Sequence, residues 1–383
     1  MKYLLTICSL IIMMSCTSPE NGELGFITKL GNDTLAVETF SKTEQGFSAK
    51  VVLRSPSTKL SSYELKQDEF GGIVELTETT YSTEQGFEGE GSFSRSIKLQ
   101  GDSLYTELIT GNGETRTYAA KYEDGALPFI DMVHWPFELA FNEAAKTESD
   151  TIAQKMLSGS NISNFIIADL GDDKRTIRHP SRGVMDVWVN QSGEIVKLDA
   201  GQTTRKLIVT REQDIDIDRI GKRFLALDKE GKSFGSLSGA VEDEFIVNGA
   251  VINVSYGTPS RRGRALFGGI VPWGERWRTG ANSATHFSTS KALTMGNLNV
   301  PAGEYTLFSI PEADGGLLII NKQTGQNGQT YDEARDLGRV PMQLSTKADN
   351  TEVFSIVVDE VANGGELKLM WGETVFTVPF SVK

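Results

Sequence analysis

The chain has very few of the side chains on which thiol and metal chemistry depend. Its 383 residues include two cysteines, Cys8 and Cys16, and three histidines. Cys8 lies in an N-terminal segment that we expect to be removed, so the remaining chain would hold no disulfide, catalytic thiol or cysteine-based zinc site. The histidines, at positions 134, 179 and 286, are far apart in the sequence. We therefore predict neither a metal site nor a cofactor.

Basic residues and long apolar runs are also scarce. The chain carries 38 Lys and Arg against 51 Asp and Glu, a net charge of −13. Nucleic-acid binding needs basic surface to neutralise phosphates, so this balance argues against a nucleic-acid partner. Long 3.6-residue periodicities are rare, whereas two-residue alternation recurs and glycine is abundant at 39 residues. These patterns predict a mainly β protein.

The N-terminus predicts a lipid anchor. Lys2 precedes an apolar segment from Leu4 to Met14, which is too short to span a bilayer as a mature helix. Ser15 and Cys16 end that segment, an arrangement that resembles a bacterial lipoprotein signal. The resemblance implies that Cys16 is acylated, becomes the new N-terminus and holds the protein to a membrane. We expect the outer membrane, facing the periplasm or the cell surface; an ordinary secretory signal is the alternative.

We predict that the chain is divided into five segments. Short alternating stretches separated by turn sequences indicate an antiparallel meander or open sheet in the first half, and eight further short strands indicate a β-sandwich in the second. The predicted segments are a signal peptide (1–15), a tether (16–23), an antiparallel β domain (24–227), a linker (228–238) and a β-sandwich (239–383).

Two stretches of the first half have alternative interpretations. Residues 127–141 are dense in apolar side chains and are predicted to cross or plug the open sheet, with a helix over 138–146. Within them, His134 and Trp135 either line a pocket or belong to the core. Residues 214–218 place three aspartates at every second position, which suggests calcium. Because the glycine and terminal glutamate of an EF-hand loop are absent, we expect a solvated strand face instead.

The last 145 residues or so carry several distinct motifs in order. They include Tyr256-Gly257-Thr258-Pro259, Phe267 to Gly274, Trp277-Arg278-Thr279-Gly280-Ala281-Asn282, and Pro301 to Leu307. Together these motifs resemble the DUF2911 family, a domain of unknown function in secreted and lipid-anchored bacterial proteins. The resemblance implies no activity and no catalytic residue. A glutamate usually follows the Asn of the third motif, and Ser283 stands there instead, so an acid–base role for that glutamate is missing.

The third motif predicts a ligand site. Arg278 offers a planar fork for carboxylate, phosphate or carbonyl groups, and Asn282 offers a donor and an acceptor. Trp273 and Trp277 offer flat faces for a sugar or another ring. The predicted ligand-binding residues are Arg264, Trp273, Trp277, Arg278, Asn282 and Asp332.

The alternative is a structural role for the same residues. In that interpretation Arg278 pairs with Asp332 or Asp336, and Asn282 caps a turn. We expect residues 261–264 to form an exposed basic loop rather than an anion site; the alternative is that Arg264 turns inward.

Two functions are compatible with these features. The first is a membrane-anchored lipoprotein that binds a glycan, a small polar ligand or a partner near Arg278 and Asn282. The second is a hydrolase-type enzyme that uses the same cleft with His286 or Asp332. Convergence of these four side chains in one open cleft would favour the enzyme.

Overall fold

The fold is mainly β, as predicted, and is seen in a computed structural model that describes residues 23–383. The signal and the lipidation site at Cys16 lie outside the described residues. Two regions follow one another along the chain: a first β region (residues 23–229) with one large sheet, and a second β region (residues 238–382) with two smaller sheets. Among the described residues, no helix is both long and apolar enough to cross a membrane.

The first β region is one open sheet of 15 strands. The chain meanders outward from the centre to one edge, crosses to the other edge, and meanders back to pair its last strand with its first. All neighbours are antiparallel except β9 and β10, which are parallel. The strands are β1 (Glu23–Leu30), β2 (Asp33–Thr43), β3 (Gly46–Leu53), β4 (Lys59–Gln67), β5 (Ile73–Tyr81), β6 (Gly91–Gln100), β7 (Ser103–Ile109), β8 (Thr115–Lys121), β9 (Leu127–Pro128), β10 (Thr151–Ser158), β11 (Asn161–Asp169), β12 (Lys174–His179), β13 (Gly183–Val189), β14 (Ile195–Asp199) and β15 (Ile208–Ile215).

The crossing segment contains helix α1 (Trp135–Ala144), which packs on one face of the sheet. It begins three residues before the predicted helix because a strand residue caps it. The fully buried Glu38 of β2 accepts the backbone N–H groups of His134 and Trp135 at 2.9–3.0 Å. A carboxylate at a helix N-terminus satisfies free N–H groups and complements the helix dipole. His134 and Trp135 are therefore core residues, and Trp135 stacks on Phe47.

A second helix, α2 (Ile217–Lys229), replaces the predicted strand face over residues 214–218. Strand β15 ends at Ile215, and Asp216 accepts the backbone N–H of Arg219 at 2.9 Å as an N-cap. The aspartates thus mark a helix start, which Asp favours because its short side chain reaches back to the backbone. Helix α2 packs on the sheet face opposite α1, against Val52 and Leu60 among others.

The second β region encloses a core between two antiparallel sheets. One sheet has the strand order β16-β17-β18-β21-β22-β23 and the other β20-β19-β25-β24. The strands are β16 (Ser238–Val247), β17 (Ala250–Pro259), β18 (Thr285–Thr289), β19 (Leu293–Met295), β20 (Leu298–Val300), β21 (Gly303–Glu312), β22 (Gly315–Asn321), β23 (Asp336–Pro341), β24 (Gln343–Val361) and β25 (Gly364–Val382). A single 3₁₀ turn spans Glu333–Arg335 between β22 and β23; another spans Gly86–Glu88 in the first region.

Arg262 joins the two regions, which corrects the prediction that residues 261–264 form an exposed loop. Its side chain is 9% exposed and donates to Asp33 at 2.9 Å, while its carbonyl accepts the backbone N–H of Asn32 at 3.0 Å. Its guanidinium also lies 3.8 Å from the ring centroid of Phe234. A charge–charge contact and a cation–π contact on one side chain hold the second region against the β1–β2 turn.

Candidate functional site

A cleft of about 470 Å³ lies where the two β regions meet. The first region contributes Arg182 and residues 202–206, which follow β14. The second contributes Arg264 and residues 276–282, in the long connection between β17 and β18, together with Gly328 and Gln329. Long connections held by rigid sheets commonly carry binding sites, because the sheets fix where the loop side chains point.

Small residues hold the motif loop, residues 277–282, against the neighbouring strands. Thr279 is fully buried and donates its hydroxyl hydrogen to Ser309 at 2.9 Å, and its carbonyl accepts the hydroxyl of Thr285 at 2.8 Å. The loop also approaches β17 so closely that a Cβ on Gly257 would stand 1.9 Å from the carbonyl oxygen of Ala281. Thr279 is therefore structural, and the other residues of the motif line the cleft.

Two residues of the motif loop adopt the left-handed backbone conformation, Thr279 with φ 52° and Asn282 with φ 61°. Asparagine tolerates this conformation, whereas it is rare for a β-branched residue. The hydrogen bonds of Thr279 hold that residue in place despite the unfavourable backbone. Strained backbone of this kind is concentrated at functional sites in proteins.

Arg278 enters the cleft, and no carboxylate within residues 23–383 pairs with it. Its Nε lies 3.4 Å from the carbonyl oxygen of Gly280, and burial lowers the pKa of its guanidinium. The predicted partners are engaged elsewhere: Asp336 accepts from Tyr331 at 2.8 Å and from Arg339, and Asp332 caps the 3₁₀ turn. The structural alternative for Arg278 is therefore wrong. Gly328 makes room for it, because a Cβ there would stand 2.6 Å from Cδ of Arg278.

Two further arginines of the second region line the cleft. Arg264 donates to the carbonyl of Ser260 at 2.6 Å and to that of Arg261 at 3.0 Å, and burial is the main cause that lowers its pKa. The guanidinium of Arg276 lies 3.9 Å from the ring centroid of Tyr331. Neither forms an ion pair with a carboxylate within residues 23–383. We call Arg264, Arg276 and Arg278 the second wall.

The opposite side, the first wall, consists of Arg182, Arg205 and Lys206. Asp131 accepts from Arg182 and Arg205, each at 2.5 Å. Burial acts to raise the pKa of Asp131, but the two guanidinium groups outweigh it and hold that pKa below its ordinary value. Lys206 donates to the carbonyl of Gly201 at 3.0 Å. Burial, and then the charge of Arg264, lower the pKa of Lys206, which places the two walls within electrostatic reach.

The charge of the cleft is opposite to that of the protein. Six cationic side chains line it and, among the described residues, no aspartate or glutamate does, although the chain as a whole carries a net charge of −13. Like charges gathered in a partly buried space repel one another and lose hydration. An anion in the cleft would relieve both costs. The half-buried Trp277 adds apolar surface and stacks on the fully buried Trp371, with ring centroids 6.0 Å apart.

Residues 238–380 match the family model described as "Protein of unknown function (DUF2911)". The second β region is a DUF2911 domain. This confirms the resemblance carried by its motifs, and it covers the second wall of the cleft but not the first. None of the curated proteins compared with this chain matches it.

Solved structures resemble the chain only weakly. A DUF1089 family protein from Pseudomonas aeruginosa is 12% identical and has a TM-score of 0.30, and the match covers 51% of this chain and 95% of that one. The binding domain of botulinum neurotoxin DC, solved in complex with rat synaptotagmin II, is 9% identical with a TM-score of 0.13, covering 96% and 91%. The binding domain of botulinum neurotoxin serotype C1 is 11% identical with a TM-score of 0.14, covering 94% and 89%. Scores this low do not indicate a shared fold.

The DUF2911 domain places four of the six predicted ligand-binding residues in the cleft: Arg264, Trp277, Arg278 and Asn282. Trp273 stacks on Phe267 with 40% of its surface exposed and is not part of the lining. Asp332 is also outside the lining and caps the 3₁₀ turn.

His286 is separate from the cleft. It lies on β18, where Thr285 points toward the motif loop and the next residue points to the other face of the sheet. That face forms a different groove, in which His286 lies near Glu242 and Glu304. Within residues 23–383, no three His, Cys, Asp or Glu side chains are arranged to hold a metal ion. The structure does not bring Arg278, Asn282, His286 and Asp332 together.

Four cationic residues of the cleft were missed by sequence reasoning. Arg276 stands two residues before Arg278 in Trp273-Gly274-Glu275-Arg276-Trp277 and could have been included with the motif. Arg182, Arg205 and Lys206 carry no local signal, because they belong to the other region and meet the motif loop only through the packing of the two regions.

Proposed function

We propose that this protein is a membrane-anchored bacterial lipoprotein that binds a small acidic ligand in the cleft between its two β regions. The observation that carries the proposal is the lining of that cleft, with six cationic side chains and, among the described residues, no acidic one. In a chain with a net charge of −13, such a concentration of positive charge requires a specific reason. Recognition of an anion supplies one.

Three features support a preformed binding site. The motif loop is held by buried hydrogen bonds through Thr279, so Arg278 and Asn282 need little reorganisation to bind. The volume of about 470 Å³ is in the range of small-molecule sites, roughly 300–1,000 Å³. The half-buried indole of Trp277 gives the cleft an apolar face on which a sugar or ring can stack. An acidic sugar or another small acidic metabolite therefore fits better than a neutral glycan.

The hydrolase alternative gains nothing from the geometry. His286 lies in a separate groove, and Asp332 is held as a turn cap. A general acid or base must reach the reacting group within hydrogen-bonding distance, and among the described residues the lining of the cleft offers neither a histidine nor a carboxylate.

A ligand screen by thermal shift would test the binding proposal. The full-length chain in detergent would be heated with phosphate, sulfate, citrate, glucuronate or glucose 6-phosphate, with glucose as the neutral control. We expect one or more acidic compounds to raise the melting temperature, and we expect Arg278→Ala and Asn282→Gly to reduce that shift. The glycine preserves the left-handed backbone at position 282.

Trp273→Ala is the matched control, because it removes a large side chain from the DUF2911 domain outside the cleft. Its ligand-induced shift should equal that of the unaltered protein. Stabilisation by none of the acidic compounds, or equal stabilisation of the Arg278→Ala variant, would rule out the site.

The anchor has a test of its own. In bacterial cells the unaltered chain should fractionate with membranes and incorporate radiolabelled palmitate. Cys16→Ser should abolish the label and release the protein, because the hydroxyl is a much weaker nucleophile than the thiol. Unchanged processing and a soluble product from both chains would instead indicate an ordinary secretory signal.

A further inference from the structure

We propose that the ligand carries two separated acidic groups and bridges the cleft, one group on Lys206 of the first wall and the other on Arg278 of the second. This inference rests on the proposed function and specifies its ligand class: a compact dianion with two phosphate, sulfate or carboxylate groups on a body that includes a ring. A single acidic group would satisfy only one wall.

Each wall presents one partly buried cation whose donors are largely unused among residues 23–383. Arg264 already donates to two backbone carbonyls, at 2.6 and 3.0 Å, and Arg276 is exposed. Lys206 and Arg278 are both partly buried, and both donate only to backbone carbonyls within residues 23–383, at 3.0 and 3.4 Å. The remaining arginines of the first wall differ from them, because Asp131 already accepts from both. These two cations therefore come from two different regions of the chain, 72 residues apart by number (278 − 206).

Both cations stand on backbone that the fold holds in an uncommon conformation. Lys206 itself is left-handed, with φ 53°, and the loop that carries it is tied by the Thr203 hydroxyl, which accepts the backbone N–H groups of Arg205 and Lys206. On the other wall, Thr279 and Asn282 next to Arg278 are left-handed as well. Local strain on both walls persists only where the surroundings fix it, and it is typical of binding sites.

The walls face each other closely enough to interact. Arg264 and Lys206 line the same cleft from its two sides, and the two regions are locked together beside them by Arg262 and Asp33. The repulsion between walls is relieved most by a ligand with negative charge at both ends. The space between them is too large for a single inorganic ion, and the half-buried indole of Trp277 suits the ring that would join the two acidic groups.

The proposal that the ligand bridges the two walls can be tested with two sugar phosphates that differ by one phosphate group. Isothermal titration calorimetry with the full-length chain would compare glucose 6-phosphate with glucose 1,6-bisphosphate. We expect the bisphosphate to bind tighter by about tenfold or more, the value of an additional charged hydrogen bond. Lys206→Gln and Arg278→Gln should each reduce that ratio to about threefold or less. Lys322→Gln, which removes an exposed lysine outside the cleft, should leave the ratio unchanged.

The possible outcomes distinguish failure of the bridging proposal from failure of the proposed binding site. Equal affinity for the two sugar phosphates, or a ratio that Lys206→Gln does not alter, would overturn the bridge while binding of the monophosphate would still support the proposed function. Pyrophosphate carries two phosphates without a spacer; if it binds as tightly as the bisphosphate, total charge sets the affinity and the bridge is overturned. Binding of none of the three compounds would count against both proposals.

Discussion

The two walls of the cleft achieve positive charge in different ways. The first wall balances part of its charge internally, because Asp131 accepts from both Arg182 and Arg205. The second wall has no such carboxylate among the described residues: burial alone lowers the pKa of Arg278, and Arg264 donates to backbone carbonyls. Guanidinium groups held by neutral carbonyls keep their full charge for a ligand, whereas ion-paired groups have already used part of it.

The two walls also differ in the contacts that hold them in position. The second wall is built on close backbone packing, with Gly257 against Ala281 and a buried Thr279 on Ser309. The first wall is held by ion pairs and by a single threonine hydroxyl in the loop of residues 200–206. Packing contacts do not depend on pH, but ion pairs do. Substitutions that disturb the packing contacts and the ion pairs separately can therefore test this difference between the walls.

The largest effect is expected from Gly257→Ala, which attacks the second wall. The added Cβ would stand 1.9 Å from the carbonyl oxygen of Ala281, and that oxygen belongs to backbone, so the motif loop must move. We expect the free energy of unfolding to fall by about 3 kcal/mol, at the upper end of overpacking costs. Urea denaturation would measure it.

Gly111→Ala is the control for this substitution, since no atom lies within 4 Å of the Cβ that it would add. Its free energy of unfolding should change by less than about 0.5 kcal/mol, as at other surface sites. If both variants lose the same stability, the close approach of the motif loop to β17 does not constrain the second wall.

A smaller effect is expected from Asp131→Asn, which attacks the first wall. At pH 7 the amide pairs poorly with Arg182 and Arg205, and the free energy of unfolding should fall by about 1–2 kcal/mol, because the carboxylate is one-third exposed. Affinity for an anionic ligand should rise a few-fold, since both arginines become free. Denaturation and ligand titration of the same variant give the two values.

The pH dependence of this variant has a definite sign. The folded protein holds the pKa of Asp131 below its ordinary value of 3.8, so the stabilisation is complete above pH 4 and is lost as pH falls through the folded pKa. The stability difference between the unaltered chain and Asp131→Asn should therefore shrink below pH 4. A difference that grows on acidification would contradict the role assigned to the ion pairs.

The smallest effect is expected from Gly328→Ala, which moves one side chain of the second wall. The added methyl group would press on Cδ of Arg278 and on the carbonyl oxygen of Asn282, at 2.6 and 2.7 Å. We expect ligand affinity to fall about threefold to tenfold, a cost of roughly 1 kcal/mol from a displaced charged donor. Calorimetry with the tightest acidic ligand would measure it; unchanged affinity would indicate that Arg278 binds from another position.

The sequence predicted the type of fold and half of the site. Two-residue alternation is a local property, so it identified the strands and the mainly β class without information on contacts. The segment over 127–141 was correctly predicted to plug the sheet, but the start of α1 depends on Glu38, a residue 97 positions before Trp135. The motif identified Arg278 and Asn282, and it could not show that Thr279 between them is buried and holds the loop.

The two walls of the cleft differ in how far the sequence alone could predict them. The motifs alone specified the DUF2911 domain and two of the three residues of the second wall, Arg264 and Arg278. The first wall was decided by tertiary structure, because Arg182, Arg205 and Lys206 reach the cleft only when β15 returns to β1 and Arg262 docks on the β1–β2 turn. Periodicity and motifs report on neighbours along the chain, whereas the charge of a cleft is the sum over residues that folding brings together.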